Sequence, residues 1–409
     1  MKICMLAYAF YESDTRIMRY AETLAQRGDQ VDVIALRREN QGVTGMVDVV
    51  NVFRIQRRSP NTAGKFSYLV EVLLFLLQAM VLLARRHVVS RYQVVHVHSV
   101  PDFLVFAAWF PKLTGARIIL DIHDLLPEFY ASKYGAAPDS LLYRSLVLTE
   151  QVSVIFSDHV IAANDLWLDR LISRSVQKEK CSSMVNVPDE AIFSPKGRTR
   201  SDGKFIILYP GTLNWHQGVD IALRAFALIA HEVPEVEFHI YGEGPHQASL
   251  AQLVQELGLQ TRVRMNGFVS TREIARLIED ADLGVVPKRI DGFGDEAFST
   301  KIMEFMALGV PVIIPDSRVD TQYFNHSIAR FFKGGDERDL AQAMLALIGQ
   351  PELRNQLASN ALEFVERNNW GRMKVKYLAL IDSLAAKRAE TFGPASEIAG
   401  VIDPKLRGR

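Results

Sequence analysis

Two glutamates with seven residues between them, Glu296 and Glu304, frame the stretch Glu296-Ala297-Phe298-Ser299-Thr300-Lys301-Ile302-Met303-Glu304. Ser299 is a good helix N-cap and Gly309-Val310-Pro311 a stop, which predicts a helix over 299–308 with one glutamate before it and one inside it. Lys301 and Glu304, three apart, share a helix face. A helix N-terminus offers unpaired N–H groups and the positive end of a dipole, and with Lys301 beside them this suits a diphosphate. Glu304, further along, could then accept hydrogen bonds from ribose hydroxyls. The plain alternative is a Lys/Glu pair on a solvated face with Glu296 as an ordinary loop acid.

A second group of candidates lies in the first half. His123 directly follows the apolar run Ile118–Ile122, which puts it at the carboxyl end of a strand, where open α/β sheets hold ligands. It could bond a ligand held at that edge, or simply be satisfied by Asp121 or Asp124. Arg16, in Asp14-Thr15-Arg16, could contact an acceptor or a phosphate, or Asp14 could be a helix N-cap with Arg16 exposed. His96 and His98 alternate on a strand and so share a face, but with no third ligand nearby the pattern favours packing over metal binding. Cys4 and Cys181 stand alone, without CxxC or Cys/His clustering, which argues against structural zinc and fits a reducing compartment. No acidic DxD motif in a suitable loop argues for a metal site.

The elements that must position these groups alternate between strand and helix, the pattern of parallel sheets wound with helices. The first series of predicted strands is 3–9, 31–36, 94–98, 118–122 and 159–162, with a helix over 15–27 closed by Gly28. A second series has strands at 205–209, 236–241, 263–265, 283–286 and 312–314, with helices over 219–231, 247–257, 271–279 and 299–308. The Pro- and charge-containing stretch 186–202 separates them. The fold class is therefore α/β, with two Rossmann-like, doubly wound parallel-sheet domains facing a cleft, over 1–186 and 187–366. Neither opening turn carries GxGxxG, and no P-loop is present, so a dehydrogenase or a P-loop NTPase is not expected.

At 409 residues, with 47 basic and 47 acidic side chains, the chain is long enough for two cores, and its zero net charge speaks against bulk binding to nucleic acid. The N-terminus lacks the apolar stretch and cleavage site of a signal peptide and reads as a first buried strand of a cytoplasmic protein. The run 68–84 stands apart: nearly all apolar, interrupted by Glu71 and Gln78, and followed by Arg85-Arg86-His87. Its plainest reading is a helix buried between sheet and neighbour; an interfacial helix, giving peripheral membrane contact through 65–91, and a true span are the other two.

The paired glutamates, followed by Phe305-Met306-Ala307-Leu308-Gly309-Val310-Pro311-Val312-Ile313, resemble the signature of retaining family 4 glycosyltransferases with the GT-B fold. Further pieces agree in order: Gly211-Thr212-Leu213 with Gln217-Gly218, Tyr241-Gly242-Glu243-Gly244-Pro245, Gly267-Phe268-Val269, Asp280-Ala281-Asp282-Leu283-Gly284 and Asn186-Val187-Pro188-Asp189. His123-Asp124-Leu125-Leu126-Pro127-Glu128 resembles the family's histidine loop. The resemblance implies transfer of a sugar from a nucleotide diphosphate donor, UDP- or GDP-linked, with retained configuration and without a metal or cofactor. It implies a saccharide or polyprenol-linked acceptor in bacterial surface or exopolysaccharide assembly, at the inner face of the cell membrane.

By the same resemblance His123 and Glu296 are catalytic. Gly211, Thr212, Gln217, Phe268, Val269, Lys301 and Glu304 bind the donor, with the backbone at Phe268 and Val269 on the base edge. Arg16 and Asp124 stand on the acceptor side; Asp124 as a general base would instead suit an inverting enzyme. Trp370 would anchor a terminal helix over 367–390 that crosses back to the first domain, leaving 391–409 as a loose tail. The chain departs from the pattern at Thr212 and Gln217, where many relatives carry an arginine and a lysine, and Lys301 is the replacement at hand. That departure keeps a non-catalytic nucleotide-sugar binder open beside the transferase, and a nucleotide-sugar epimerase shares the architecture.

Overall fold

The computed structural model describes residues 1–57, 65–135 and 137–392. The chain divides into two compact units, Met1–Val185 joined by the residues from Met373 onward, and Asn186–Arg372. The first unit is built on eight strands: β1 (Lys2–Ala7), β2 (Gln30–Arg37), β3 (Thr44–Val47), β4 (Val50–Arg57), β5 (Val94–His98), β6 (Arg117–Ile122), β7 (His159–Ala162) and β8 (Cys181–Ser183). Their order across the sheet is β3-β4-β2-β1-β5-β6-β7-β8, parallel throughout except for the β3/β4 hairpin. The central strands β1, β5 and β6 are buried along almost their whole length, as the near-continuous apolar runs of a sheet covered on both faces require.

The second unit carries β9 (Phe205–Pro210), β10 (Val236–Tyr241), β11 (Val263–Asn266), β12 (Leu283–Val285), β13 (Val312–Pro315) and β14 (Arg330–Phe332), all parallel, in the order β11-β10-β9-β12-β13-β14. Ile207, Phe226, Phe238, Leu283, Ile313 and Met344 belong to one buried cluster against this sheet. In both sheets the strand order runs outward in two directions from one point, between β1 and β5 and between β9 and β12. Carboxyl ends beside such a reversal leave a crevice that no crossover helix fills, which is where ligands sit in open α/β folds.

Four strands go beyond the expected series. β4 alternates buried and half-buried positions, but its inward Arg54, paired with Glu12, interrupts the apolar pattern. β3 is exposed, and β8 and β14 are three-residue edge strands too short to show a period. The expected buried helix over 68–84 is longer, Lys65–Ser90, and its most apolar stretch is only 22% buried. Val72, Phe75, Ala79 and Leu83 face the core, whereas Leu73, Leu77, Val81 and Val88 are exposed. The error has a simple cause: a helix apolar on every side shows no period from which to read its bare face. The last described element, Trp370–Phe392, packs Tyr377, Ile381 and Leu384 into buried positions. The tail expected over 391–409 lies outside the described residues beyond Phe392.

Candidate functional site

The second unit assembles its candidate residues at the reversal between β9 and β12. Gly211 follows β9 directly, with φ +148°, and a Cβ there would stand 2.2 Å from Lys301 Cε. Only glycine leaves room for the lysine stem to cross the strand end. Lys301 Nζ donates to Gln217 Oε1 at 2.9 Å, and the Tyr209 hydroxyl lies 3.2 Å from the same oxygen and 2.9 Å from the Thr212 carbonyl oxygen. Burial pushes the Lys301 pKa down to about 8, with Glu304 opposing and Lys288 adding to the fall. Lys301 opens the helix Thr300–Ala307, and Gly309, at φ +69°, follows its end. Ser299 occupies the N-cap position, yet its side chain makes no capping bond and its buried hydroxyl has no partner. This corrects the expected cap and leaves the N–H groups of the first turn without that side chain.

Glu296 is buried, and its Oε1 accepts from Arg318 Nη1 at 2.7 Å; Glu304 is half-buried on the helix beyond. The loop carrying Glu296 is held by Lys288, which sequence reasoning passed over. Its ammonium donates to the carbonyls of Gly294 at 3.2 Å and Ala297 at 2.7 Å and pairs with Asp320 Oδ2 at 3.0 Å. A lysine two residues past an apolar strand, in Val286-Pro287-Lys288, was the available signal. Phe268 is exposed with its N–H 3.4 Å from Glu243 Oε1, Val269 is half-buried, and Thr212 is exposed. Gly242 closes on the same strand end, since a Cβ there would meet the Gly211 carbonyl oxygen at 1.9 Å.

The first unit gathers the others around Asp121, at the carboxyl end of β6. Asp121 is fully buried and accepts from Arg16 Nε at 2.9 Å and Nη2 at 2.7 Å; His98 Nδ1 lies 3.2 Å and His123 Nε2 3.1 Å from its Oδ2. Burial works against the carboxylate, but Arg16 and the histidines outweigh it and hold it well below the usual range. Burial likewise opposes charge on His123, yet Asp121 raises its pKa. Burial drives the pKa of His96 and of His98 down, against the pull of Asp121. Asp124, half-buried beside His123, has its pKa raised by burial.

Two expectations change here. Arg16, placed on the acceptor side, is 6% exposed, spent on Asp121 and on the Met184 carbonyl oxygen at 2.7 Å, because Asp14 caps its helix through the N–H groups of Arg16 and Ile17 and turns the side chain inward. His96 and His98 do have a third potential ligand: one ligand atom from each and one from Asp121 lie within 4.8 Å of one another. It comes from the neighbouring strand β6, so spacing within β5 could not show it. Asp121 already balances a guanidinium, and His96 Nδ1 is bonded to the Tyr377 hydroxyl at 3.0 Å, which makes the trio a packed polar core.

Comparisons with known proteins identify the family and the fold. A Glycosyl transferase 4-like domain model matches residues 13–183, and a Glycosyl transferases group 1 model matches residues 192–364. The amylovoran biosynthesis glycosyltransferase AmsK of Erwinia amylovora is 26% identical over 184 residues, 44% of this chain and 45% of AmsK. The chain spans 39% to 61% of the length of three of the curated relatives it matches. Sucrose-phosphate synthase of Thermosynechococcus elongatus superimposes with a TM-score of 0.78 at 18% identity, over 95% of this chain and all of that one. Anabaena Alr3699/HepE, solved with UDP-glucose, gives 0.67 at 16% identity, over 96% and 99%.

Proposed function

The chain belongs to the GT-B glycosyltransferases of family 4, and from that membership we propose that it moves a sugar, with retained configuration, from a nucleotide diphosphate donor to a saccharide acceptor during bacterial surface or exopolysaccharide synthesis. The observation that carries the reading is the Gly211 gap filled by Lys301 beside Gln217. It puts a cation and a helix N-terminus at the strand-order reversal, where a diphosphate needs both. AmsK, named for amylovoran biosynthesis, supports the polymer class, and the UDP-glucose complex of Alr3699/HepE supports a nucleotide-sugar donor, UDP- or GDP-linked here.

In this reading Lys301 and the first-turn N–H groups meet the charge that grows on the departing diphosphate, with no metal or cofactor required. Glu304 holds the ribose, Glu296 the donor sugar hydroxyls, the Phe268 and Val269 backbone the base edge, and His123 the sugar near the reacting oxygen. The bond from the anomeric carbon to the phosphate oxygen breaks as the acceptor oxygen forms its own bond on the same face. The leaving phosphate takes the acceptor proton, so no separate base is needed. The bare side of the helix Lys65–Ser90 supports a lipid-linked acceptor and peripheral contact with the inner face of the cell membrane.

A thermal-shift series with UDP, GDP, ADP and their sugars tests the donor site. A ligand present at about 100 times its Kd adds roughly 2.7 kcal/mol to the unit that binds it. One nucleotide is expected to shift the protein, with or without chelator, and Glu304→Ala to abolish the shift. No shift with any of them would overturn the donor site and favour a non-catalytic role, the reading kept open by Thr212 and Gln217. Product analysis with donor alone separates transfer from epimerisation, since an epimerase converts the donor without acceptor.

A further inference from the structure

The helix Leu141–Phe156 carries a second apolar stripe that the sequence pattern alone did not single out. Leu141, Leu148 and Ile155 recur every seven residues with Val152 between the last two, so all lie on one side of the helix. All four are exposed, Leu141 at 85% and Ile155 at 73%, while Glu150, Ser153 and Val154 are buried on the opposite side. The segment Asp102–Leu113 bridges this helix to Lys65–Ser90. Phe106 meets Phe156 edge-on at 5.2 Å between ring centres, Phe110 meets His87 at 6.0 Å, and Thr114 Oγ1 lies 2.8 Å from His87 Nε2. The bridge itself exposes Trp109 and Leu113. The three elements therefore pack together, and each exposes large apolar side chains, far more than scattered surface leucines.

Charge indicates what covers it. Among the described charges of the two long helices, the exposed ones are Arg85 and Arg144. Glu150 is buried against Arg174 at 2.6 Å, and Glu71 is half-buried. An apolar side whose exposed charges are cationic fits an anionic lipid surface, whereas a seam between two copies of the chain would bring like charges together. We propose that these three elements rest together on an anionic bilayer, with Leu148, Val152 and Ile155 as a second bearing and Trp109 on the bridge. The inference builds on the membrane contact proposed above and extends it from one helix to a face.

Flotation of the full chain with vesicles of about 3:1 phosphatidylcholine to phosphatidylglycerol, against pure phosphatidylcholine, tests it. Leu148→Glu with Ile155→Glu should lower partitioning into the anionic vesicles about tenfold or more without changing the thermal transition. Leu73→Glu with Leu77→Glu reports on the first helix separately. If only the latter pair loses binding, the second bearing is overturned and the contact by Lys65–Ser90 stands. If the parent protein does not bind, the membrane reading itself falls, and this inference with it. An oligomer that the Leu148/Ile155 variant dissolves, with vesicle binding intact, assigns the stripe to a second copy and overturns the proposal. Should that variant fail to fold, the parent decides: brominated acyl chains should quench a fluorescence component that Trp109→Phe removes, and a bound parent without that quenching refutes the face.

Discussion

Lys301 has a pKa near 8 because burial disfavours its charge more than Glu304 restores it. A bound diphosphate favours the ammonium, so binding and protonation are linked. If Lys301 meets the diphosphate as proposed, affinity for a nucleotide sugar should be flat below pH 7 and weaken above 8, approaching about tenfold per pH unit when one proton must be held. Lys301→Arg should remove that slope between pH 7 and 9.5 in titration calorimetry; a slope unchanged in the variant would assign it elsewhere. At Asp121 the linkage concerns stability. The raised pKa of His123 means that its contribution is fully present below about 6.5 and is lost as pH rises through the raised value. Asp121→Asn should return the His123 titration, followed by imidazole NMR, toward its ordinary value. It also strands the buried Arg16 guanidinium, at a cost of about 3–5 kcal/mol in the unfolding free energy of the first unit. Residue types and spacing indicated Glu296, Lys301, Glu304 and His123 as candidates. They could not show that Arg16 points inward onto Asp121 or that His98 joins the same carboxylate, because those contacts join segments far apart in the chain; the Lys288 clamp on the Glu296 loop is local, but it depends on how that loop turns, which no period reveals.

The strand ends in the second unit are shaped by glycines that do different things. Gly211→Ala would drive a Cβ into Lys301 Cε, the movable end of a side chain, so the lysine yields and the fold survives. Nucleotide affinity should fall about tenfold or more, with a small drop in Tm. Gly258→Ala is the control: it has φ +68° but nothing within 4 Å of its Cβ, so it should cost about 1 kcal/mol and leave affinity untouched. Equal affinity losses in the two would refute the role given to the Gly211 gap. Elements with a strong period, such as the helix Thr271–Glu279, or a clean apolar run, such as β5 and β10, were readable to the residue. β3, β8 and β14 were not, because they lie at sheet edges with few or no buried residues and so lack the apolar run that marks equally short strands such as β7 and β12. The helix Lys65–Ser90 was legible as a helix but not in its orientation, which is set by what it packs on.

Across the whole molecule the terminal helix completes the first unit. Tyr377 stacks near Tyr20, with ring centres 4.3 Å apart, and bonds His96; Arg27 pairs with Asp382 at 2.7 Å. Burying Tyr377, Ile381 and Leu384 is worth about 1.5–3 kcal/mol each, a sum comparable to the stability of a domain. A chain ending at Arg372 should therefore lose the calorimetric transition of the first unit and keep that of Asn186–Arg372; two intact transitions would show the helix to be dispensable.

The same arrangement sets an order of events during synthesis. The first 185 residues leave the ribosome before the helix that caps their core exists, and the 187 residues of the second unit must be made in between. At about 5–20 residues per second that interval lasts roughly 10–40 s. Tyr20 and His96 of the first unit wait through it uncapped, so the later-made unit is the first able to finish folding. Until the last twenty described residues are made, the first unit lacks the side chains of Tyr377, Ile381 and Leu384 that close its core.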